Sequence, residues 1–127
     1  MTSIAHVALW VRDLEAMREF YVRQLGGRSG PRYANAASGF SSYFVSFGEG
    51  PRIELMHRPA VPSRPEGAAT GYAHVALSLD GRTAVDATVE RLRQEGVTVE
   101  SGPRVTGDGY YEAVILDPEG NRIELTA

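Results

Sequence analysis

The chain of 127 residues contains no cysteine, which excludes disulfide bonds, thiolate metal ligands and cysteine nucleophiles. It has no apolar run near the ~20 residues of a membrane span, and no signal-peptide pattern at its N-terminus, so we expect a cytoplasmic protein. It also lacks a basic run and has a formal net charge of -3, which argues against nucleic acid or an anionic membrane surface as a partner. Its composition, 43% hydrophobic and 23% charged, is otherwise typical of a globular protein.

Two motifs occur twice, in the same order. His6–Leu9 and His74–Leu77 both read His-Val-Ala-Leu, while Gly50–Leu55 and Gly120–Leu125 both read Gly-x-Arg-Ile-Glu-Leu. A lone module of roughly 60 residues buries only about 60% of its unfolded surface, so we expect the two copies to pair, within one chain or between chains. The sequence therefore predicts a single domain over 1–127, made of a module at 1–57, a proline-rich linker at 58–71 and a module at 72–127.

The hydrophobic periodicity predicts the same order of elements, β-α-β-β-β, in both copies. In the first copy we expect a strand at Ile4–Val11, then a helix that follows the N-cap Asp13 and ends at Gly26-Gly27. We expect residues 28–39 to form a loop with room for a short strand, followed by a hairpin of Ser42–Phe47 and Arg52–His57. In the second copy we expect strands at Tyr72–Leu79, Val97–Glu100, Tyr110–Leu116 and Arg122–Thr126. We also expect a helix that begins with the capping pair Thr83 and Asp86 and ends at Gly96. The inner face of this helix is predicted to consist of Val85, Val89 and Leu92.

Each repeated motif carries a residue type that binds metal ions. Side chains alternate across a strand, so if Glu54 faces inward, Ile53 and Leu55 face the other way, and the same holds around Glu124. A carboxylate among apolar neighbours is costly unless its charge is compensated, and a divalent cation held by two histidines and two glutamates would compensate it. The alternative is a solvated sheet face on which the glutamates pair with Arg52 and Arg122. His57 has the opposite parity to Glu54 and is expected to point away from such a site.

Over residues 4–127 the chain resembles the vicinal oxygen chelate superfamily, to which glyoxalase I, methylmalonyl-CoA epimerase, extradiol dioxygenases and bleomycin-resistance proteins belong. The resemblance rests on both His-Val-Ala-Leu segments, the run from Arg12 to Gly26, Ile53–Leu55 and Asp117–Glu124. It implies an α+β fold in which two βαβββ modules form a cupped mixed sheet with the helices on its outer face. It also implies that His6, Glu54, His74 and Glu124 are the metal ligands.

The His-Glu-His-Glu set resembles that of glyoxalase I most. The resemblance implies a lactoylglutathione lyase-like enzyme with one divalent ion per site (Ni, Zn, Co or Mn), which isomerises a small α-oxo hemithioacetal through an enediolate. Glu124 is then the expected catalytic base and Glu54 the second proton shuttle. The expected partners are a small-molecule substrate and a second copy of the chain, with which it forms a homodimer.

The chain departs from glutathione-using members of that family at the position four residues past the first histidine, where Trp10 replaces an arginine. This leaves the thiol cosubstrate open. Trp10, Met56 and Tyr110 are the predicted substrate-binding residues, whereas plain core packing is favoured for Tyr43 and Tyr111. Two other functions stay open: a different metal enzyme of the same fold, such as an epimerase or a dioxygenase, and a non-enzymatic module that sequesters a planar compound.

Overall fold

A computed structural model describes residues 1–127, which divide into two units, Met1–Arg64 and Pro65–Ala127. The boundary falls inside the linker expected at 58–71, while a single domain made of both copies stays a prediction. The first unit contains β1 (His6–Trp10), α1 (Leu14–Arg23), β2 (Arg28–Ser29), β3 (Tyr33–Asn35), β4 (Phe40–Ser46) and β5 (Arg52–His57). The second contains β6 (His74–Ser78), α2 (Arg82–Gln94), β7 (Val99–Val105), β8 (Tyr111–Leu116) and β9 (Arg122–Thr126).

The first unit is a mixed sheet with one helix against it. Its strand order is β1-β5-β4-β2, with β3 paired to β4, and only the β1–β5 pair is parallel. The helix α1 packs on β4 and β5, because its apolar stripe meets the apolar positions of those strands. The buried hydrophobic residues of this core are Val11, Leu14, Met17, Phe20, Tyr21, Tyr43, Val45, Ile53 and Leu55.

The second unit repeats this plan with one strand fewer. Its order is β6-β9-β8-β7, and β6 runs parallel to β9 as β1 does to β5. The predicted inner face of α2 is confirmed, since Val85, Val89 and Leu92 are all buried. They share the core with Ala113, Ile115, Ile123 and Leu125. No helix in either unit has the length and apolarity needed to cross a membrane.

The local structure differs from the expectations at three places, two of them in the number or length of strands and one in a helix cap. Residues 28–39 contain two short strands, β2 and β3, because two parts of this irregular segment form backbone hydrogen bonds with β4. The strand expected at Val97–Glu100 is β7, which continues to Val105 through register shifts against β8. The capping pair is absent, since α2 begins after Gly81 with no side-chain cap, and Asp86 instead accepts a hydrogen bond from the Tyr111 hydroxyl.

The predicted N-cap of α1 is confirmed: the Asp13 carboxylate accepts a hydrogen bond from the amide of Ala16, with an N–O distance of 3.0 Å. We expect Asp13→Ala to lower the free energy of unfolding by about 1 kcal/mol, because a helix-end amide loses its acceptor. Urea denaturation measures this. Asp13→Asn is the control, since asparagine caps about as well as aspartate; a loss as large in Asp13→Asn as in Asp13→Ala would contradict the capping role.

Candidate functional site

The first unit brings together two of the predicted metal ligands, His6 and Glu54. They lie on the neighbouring parallel strands β1 and β5, whose register places Ala8 beside Glu54. The distance from His6 Nε2 to Glu54 Oε1 is 3.5 Å, and the Glu54 side chain is 14% exposed. The ring of Phe44, which is the partner of Glu54 on β4, packs edge-on against the His6 imidazole at 5.3 Å between centroids. The imidazole is thus held between a carboxylate and an aromatic ring.

The second unit contains the same pair at the equivalent positions. His74 on β6 and Glu124 on β9 are related by the same register, with Ala76 beside Glu124. The distance from His74 Nε2 to Glu124 Oε2 is 3.0 Å, and the Glu124 side chain is 17% exposed. The sequence duplication is therefore also a duplication of side-chain geometry.

Both pairs lie on the sheet face opposite the helix. Ile53, Leu55, Ile123 and Leu125 are buried beneath the helices, so the alternation expected around each glutamate is confirmed. The alternative pairing of these glutamates with arginine is wrong. Arg122 donates to Glu100 instead, from Nε to Oε2 at 2.7 Å and from Nη2 to Oε1 at 2.9 Å. Arg52 lies over the Phe44 ring at 4.2 Å, because the aromatic face offers its guanidinium a partner.

The donor atoms of these pairs are of the types that bind divalent cations. Each offers an imidazole nitrogen and a mostly buried carboxylate whose only ion-pair partner is that imidazole. Borderline metal ions accept both donor types. No group of three or more His, Cys, Asp or Glu side chains is arranged so that it could hold a metal ion. A catalytic zinc site ordinarily uses three protein ligands, so one pair alone would be too small a ligand set.

The remaining expected residues divide between the two units. Trp10 lies on the His6 face of β1, is 43% exposed, and is the register partner of Met56. Tyr110 precedes β8 and is 56% exposed, outside any strand. Their roles in substrate binding stay predictions. His57 does point away from Glu54, because its Nδ1 lies 3.0 Å from the carbonyl oxygen of Val11.

The two tyrosines favoured for core packing both hydrogen-bond to helix carboxylates. The Tyr43 hydroxyl donates to Glu15 at 2.9 Å, and the Tyr111 hydroxyl donates to Asp86. Burial, and then the bond to Glu15, raise the pKa of Tyr43 above its usual value. Each tyrosine therefore ties a sheet to its helix.

Sequence reasoning missed one carboxylate, Glu112. Burial, followed by the charge of Glu124 and a hydrogen bond with it, raises the pKa of Glu112. Its alternation with the buried Ala113 and Ile115 was the available signal, since this parity places it on the Glu124 face. Thr126, its register partner, has a buried hydroxyl oxygen without a hydrogen-bond partner. The second unit thus adds polar groups beside its His–Glu pair, at positions where the first unit has Ser42 and Met56.

Comparison with known proteins bears on what this arrangement does. The sequence model of the Glyoxalase/Bleomycin resistance protein/Dioxygenase superfamily matches residues 3–125. A lactoylglutathione lyase from Escherichia coli O157:H7 is 37% identical over 127 residues, covering 96% of this chain and 90% of the relative. A probable lactoylglutathione lyase from Vibrio cholerae is 32% identical over 127 residues, covering 96% and 88%.

A solved structure shows the same fold. The trypanothione-dependent glyoxalase I of Leishmania major superposes with a TM-score of 0.80 at 22% identity, over 99% of this chain and 86% of that one. The expected α+β, glyoxalase-like architecture is thereby confirmed, with a βαβββ module in the second unit and the same order plus one additional short strand in the first.

Proposed function

Because the chain belongs to the Glyoxalase/Bleomycin resistance protein/Dioxygenase superfamily, we propose that it is a metal-dependent lyase of the glyoxalase I type. The proposed reaction isomerises a small α-oxo hemithioacetal to a thioester. One observation carries the proposal: both units hold a His–Glu pair at equivalent register positions, with the carboxylate mostly shielded from water. Relatives named lactoylglutathione lyase support it independently.

We propose His6, Glu54, His74 and Glu124 as the ligands of one divalent ion per site, with Ni, Zn, Co and Mn as the candidates. A single pair falls short of the usual ligand count, so the proposed site takes both pairs, from one chain or from the two chains of a homodimer. When bound, the ion would supply Lewis-acid stabilisation of the negative charge that develops on the substrate oxygens. A dimer mass in solution, measured by light scattering, is expected.

The proton transfer belongs to the glutamates. In an isomerisation no atom is lost, so one carboxylate can remove the proton from the carbon beside the carbonyl and return a proton to the neighbouring carbon. We propose Glu124 as this base and Glu54 as the second shuttle. The structure offers each carboxylate a mostly buried position without an arginine partner, and a bound arginine would hold a carboxylate in its charged, weakly basic form.

Metal loading tests the ligand set separately from the reaction. We expect protein purified without chelator to contain metal by elemental analysis, and its Tm to rise when metal is added, because an ion bound only by the folded state stabilises that state. His6→Ala and His74→Ala should each lower the metal content and abolish the rise in Tm. His57→Gln is the matched control, since His57 contacts the carbonyl of Val11, and should keep both.

Less than about 0.1 ion per chain, with no rise in Tm on adding any of the four metals, would favour a non-enzymatic binding module instead. The reaction itself is tested by supplying methylglyoxal with several thiols and each metal in turn, and following thioester formation. Absence of turnover in every combination would rule out the proposed reaction while leaving the metal result standing.

A further inference from the structure

Three aromatic side chains form a partly exposed group on the first unit, which we call the aromatic cluster (Trp10, Tyr33 and Phe40). The ring of Phe40 meets Trp10 edge-on at 6.3 Å and Tyr33 at 6.0 Å between centroids. Trp10 and Tyr33 are both exposed, with 43% and 56% of their surfaces accessible. Single exposed apolar residues are ordinary, but contiguous ones mark surfaces that take a ligand or a partner.

A cation accompanies this cluster. The guanidinium of Arg58 lies over the Trp10 ring at 4.8 Å, an arrangement favoured by the electron-rich ring face. Arg58 has no carboxylate within ion-pair distance, in contrast to Arg122, which donates two hydrogen bonds to the Glu100 carboxylate. Its planar fork of N–H donors is therefore available to an anion, which it can bind through two parallel hydrogen bonds.

The aromatic cluster is close to the His6–Glu54 pair. Trp10 is in register with Met56, two residues beyond Glu54 on β5, which corresponds to about 7 Å along the strand. The even spacing also places Trp10 and Met56 on the sheet face that carries His6 and Glu54. A small molecule whose reacting carbons lie at Glu54 can thus extend along the strand to reach the Trp10 ring.

We propose that the aromatic cluster and Arg58 bind an aromatic carboxylate, as the part of the substrate that lies away from the reacting carbons. This inference specifies the substrate class of the proposed glyoxalase-type function. It rests on that function, because the bound compound is a substrate only if the lyase reaction takes place. The ring of the ligand packs on the edges and faces offered by Trp10 and Phe40, and its carboxylate meets the free guanidinium of Arg58. An aromatic amine is disfavoured, because its positive charge would lie beside Arg58.

Direct binding is measurable because Trp10 is the only tryptophan of the chain. Titration with phenylacetate should change the tryptophan fluorescence saturably. Phenylacetamide keeps the ring and the shape but not the charge, and hexanoate keeps the charge but not the ring. Each should bind at least about tenfold more weakly than phenylacetate, a loss that corresponds to about 1.4 kcal/mol.

Variants of the cation identify the binding site. Arg58→Ala should weaken phenylacetate binding at least about tenfold and leave phenylacetamide binding much less affected, while Arg58→Lys should give an intermediate loss. Arg82→Ala is the matched control, because Arg82 stacks on Tyr111 at 5.0 Å in the second unit. It should bind phenylacetate as the original protein does. Equal binding of phenylacetate and phenylacetamide, no saturable response, or equal effects of the two alanine variants would each overturn the proposal.

Turnover separates this inference from the proposed function. The hemithioacetals that methylglyoxal forms with glutathione and with 4-(mercaptomethyl)benzoate are compared by kcat/KM, and the aromatic carboxylate adduct should be preferred at least about tenfold. Arg58→Ala should remove that preference. Turnover of both adducts without preference would overturn the aromatic-carboxylate proposal and keep the lyase. Saturable phenylacetate binding that depends on Arg58, with no turnover of either adduct, would support the binding site and overturn the lyase.

Discussion

Replacing Glu124 by glutamine is expected to lower kcat for hemithioacetal isomerisation by roughly 100- to 10,000-fold, the range that a positioned general base contributes. Glutamine keeps the length and shape of the side chain and one oxygen acceptor, so His74 keeps a hydrogen-bond partner near 3.0 Å. What is lost is the basicity needed to take a proton from carbon. The measurement is kcat at saturating metal and substrate, with metal content determined on the same sample.

Metal content matters because Glu124 is also a proposed ligand. A Glu124→Gln protein that keeps its metal and loses kcat has lost a base, whereas one that loses its metal has lost the site. Glu66→Gln, in the segment between the copies, is the charge-matched control and should keep full activity. A larger loss in Glu54→Gln than in Glu124→Gln would contradict the assignment and make Glu54 the base.

The two His–Glu pairs show how much of the candidate site the sequence predicts. The alternation around Ile53 and Ile123 was enough to place both glutamates on the face away from the helix, because the parity of a strand is a local property. That His6 would be the neighbour of Glu54 follows from the parallel pairing of β1 with β5. These strands lie far apart in sequence, so the prediction that they bring His6 and Glu54 together came from the family resemblance and not from the residues themselves.

The features that were missed depend on partners distant in sequence. Glu100 meets Arg122 although β7 and β9 are not adjacent in the sheet, so no neighbouring pattern indicates this ion pair. Asp86 is of a residue type that often caps helices, but its carboxylate accepts a hydrogen bond from the Tyr111 hydroxyl instead. A local capping signal gives way here to a tertiary hydrogen bond. The same reason applies to β2 and β3, which exist because β4 offers them an edge.

Leu125→Ala is expected to lower the free energy of unfolding by about 2–5 kcal/mol, the usual cost of a cavity left by a fully buried leucine. Leu125 is 1% exposed and follows Glu124 directly, on the opposite face of β9, in the core shared with α2. The duplication predicts a similar loss for Leu55→Ala, because Leu55 occupies the equivalent position beside Glu54. Urea denaturation followed by circular dichroism measures both.

Val105→Ala is the control, since Val105 lies on β7 with more than half of its surface exposed, and it should cost little. Well below the unfolding transition, Leu125→Ala should keep a measurable kcat, because the lost methyl groups face the helix and not the carboxylate. Glu124→Gln should show the reverse, with its stability kept and its kcat lost. A fall in kcat in Leu125→Ala as large as that in Glu124→Gln, in protein that is still folded, would mean that core packing sets the position of the carboxylate. The strand alternation predicts the opposite, namely that the face of β9 that packs on the helix and the face that carries the carboxylate can be changed independently.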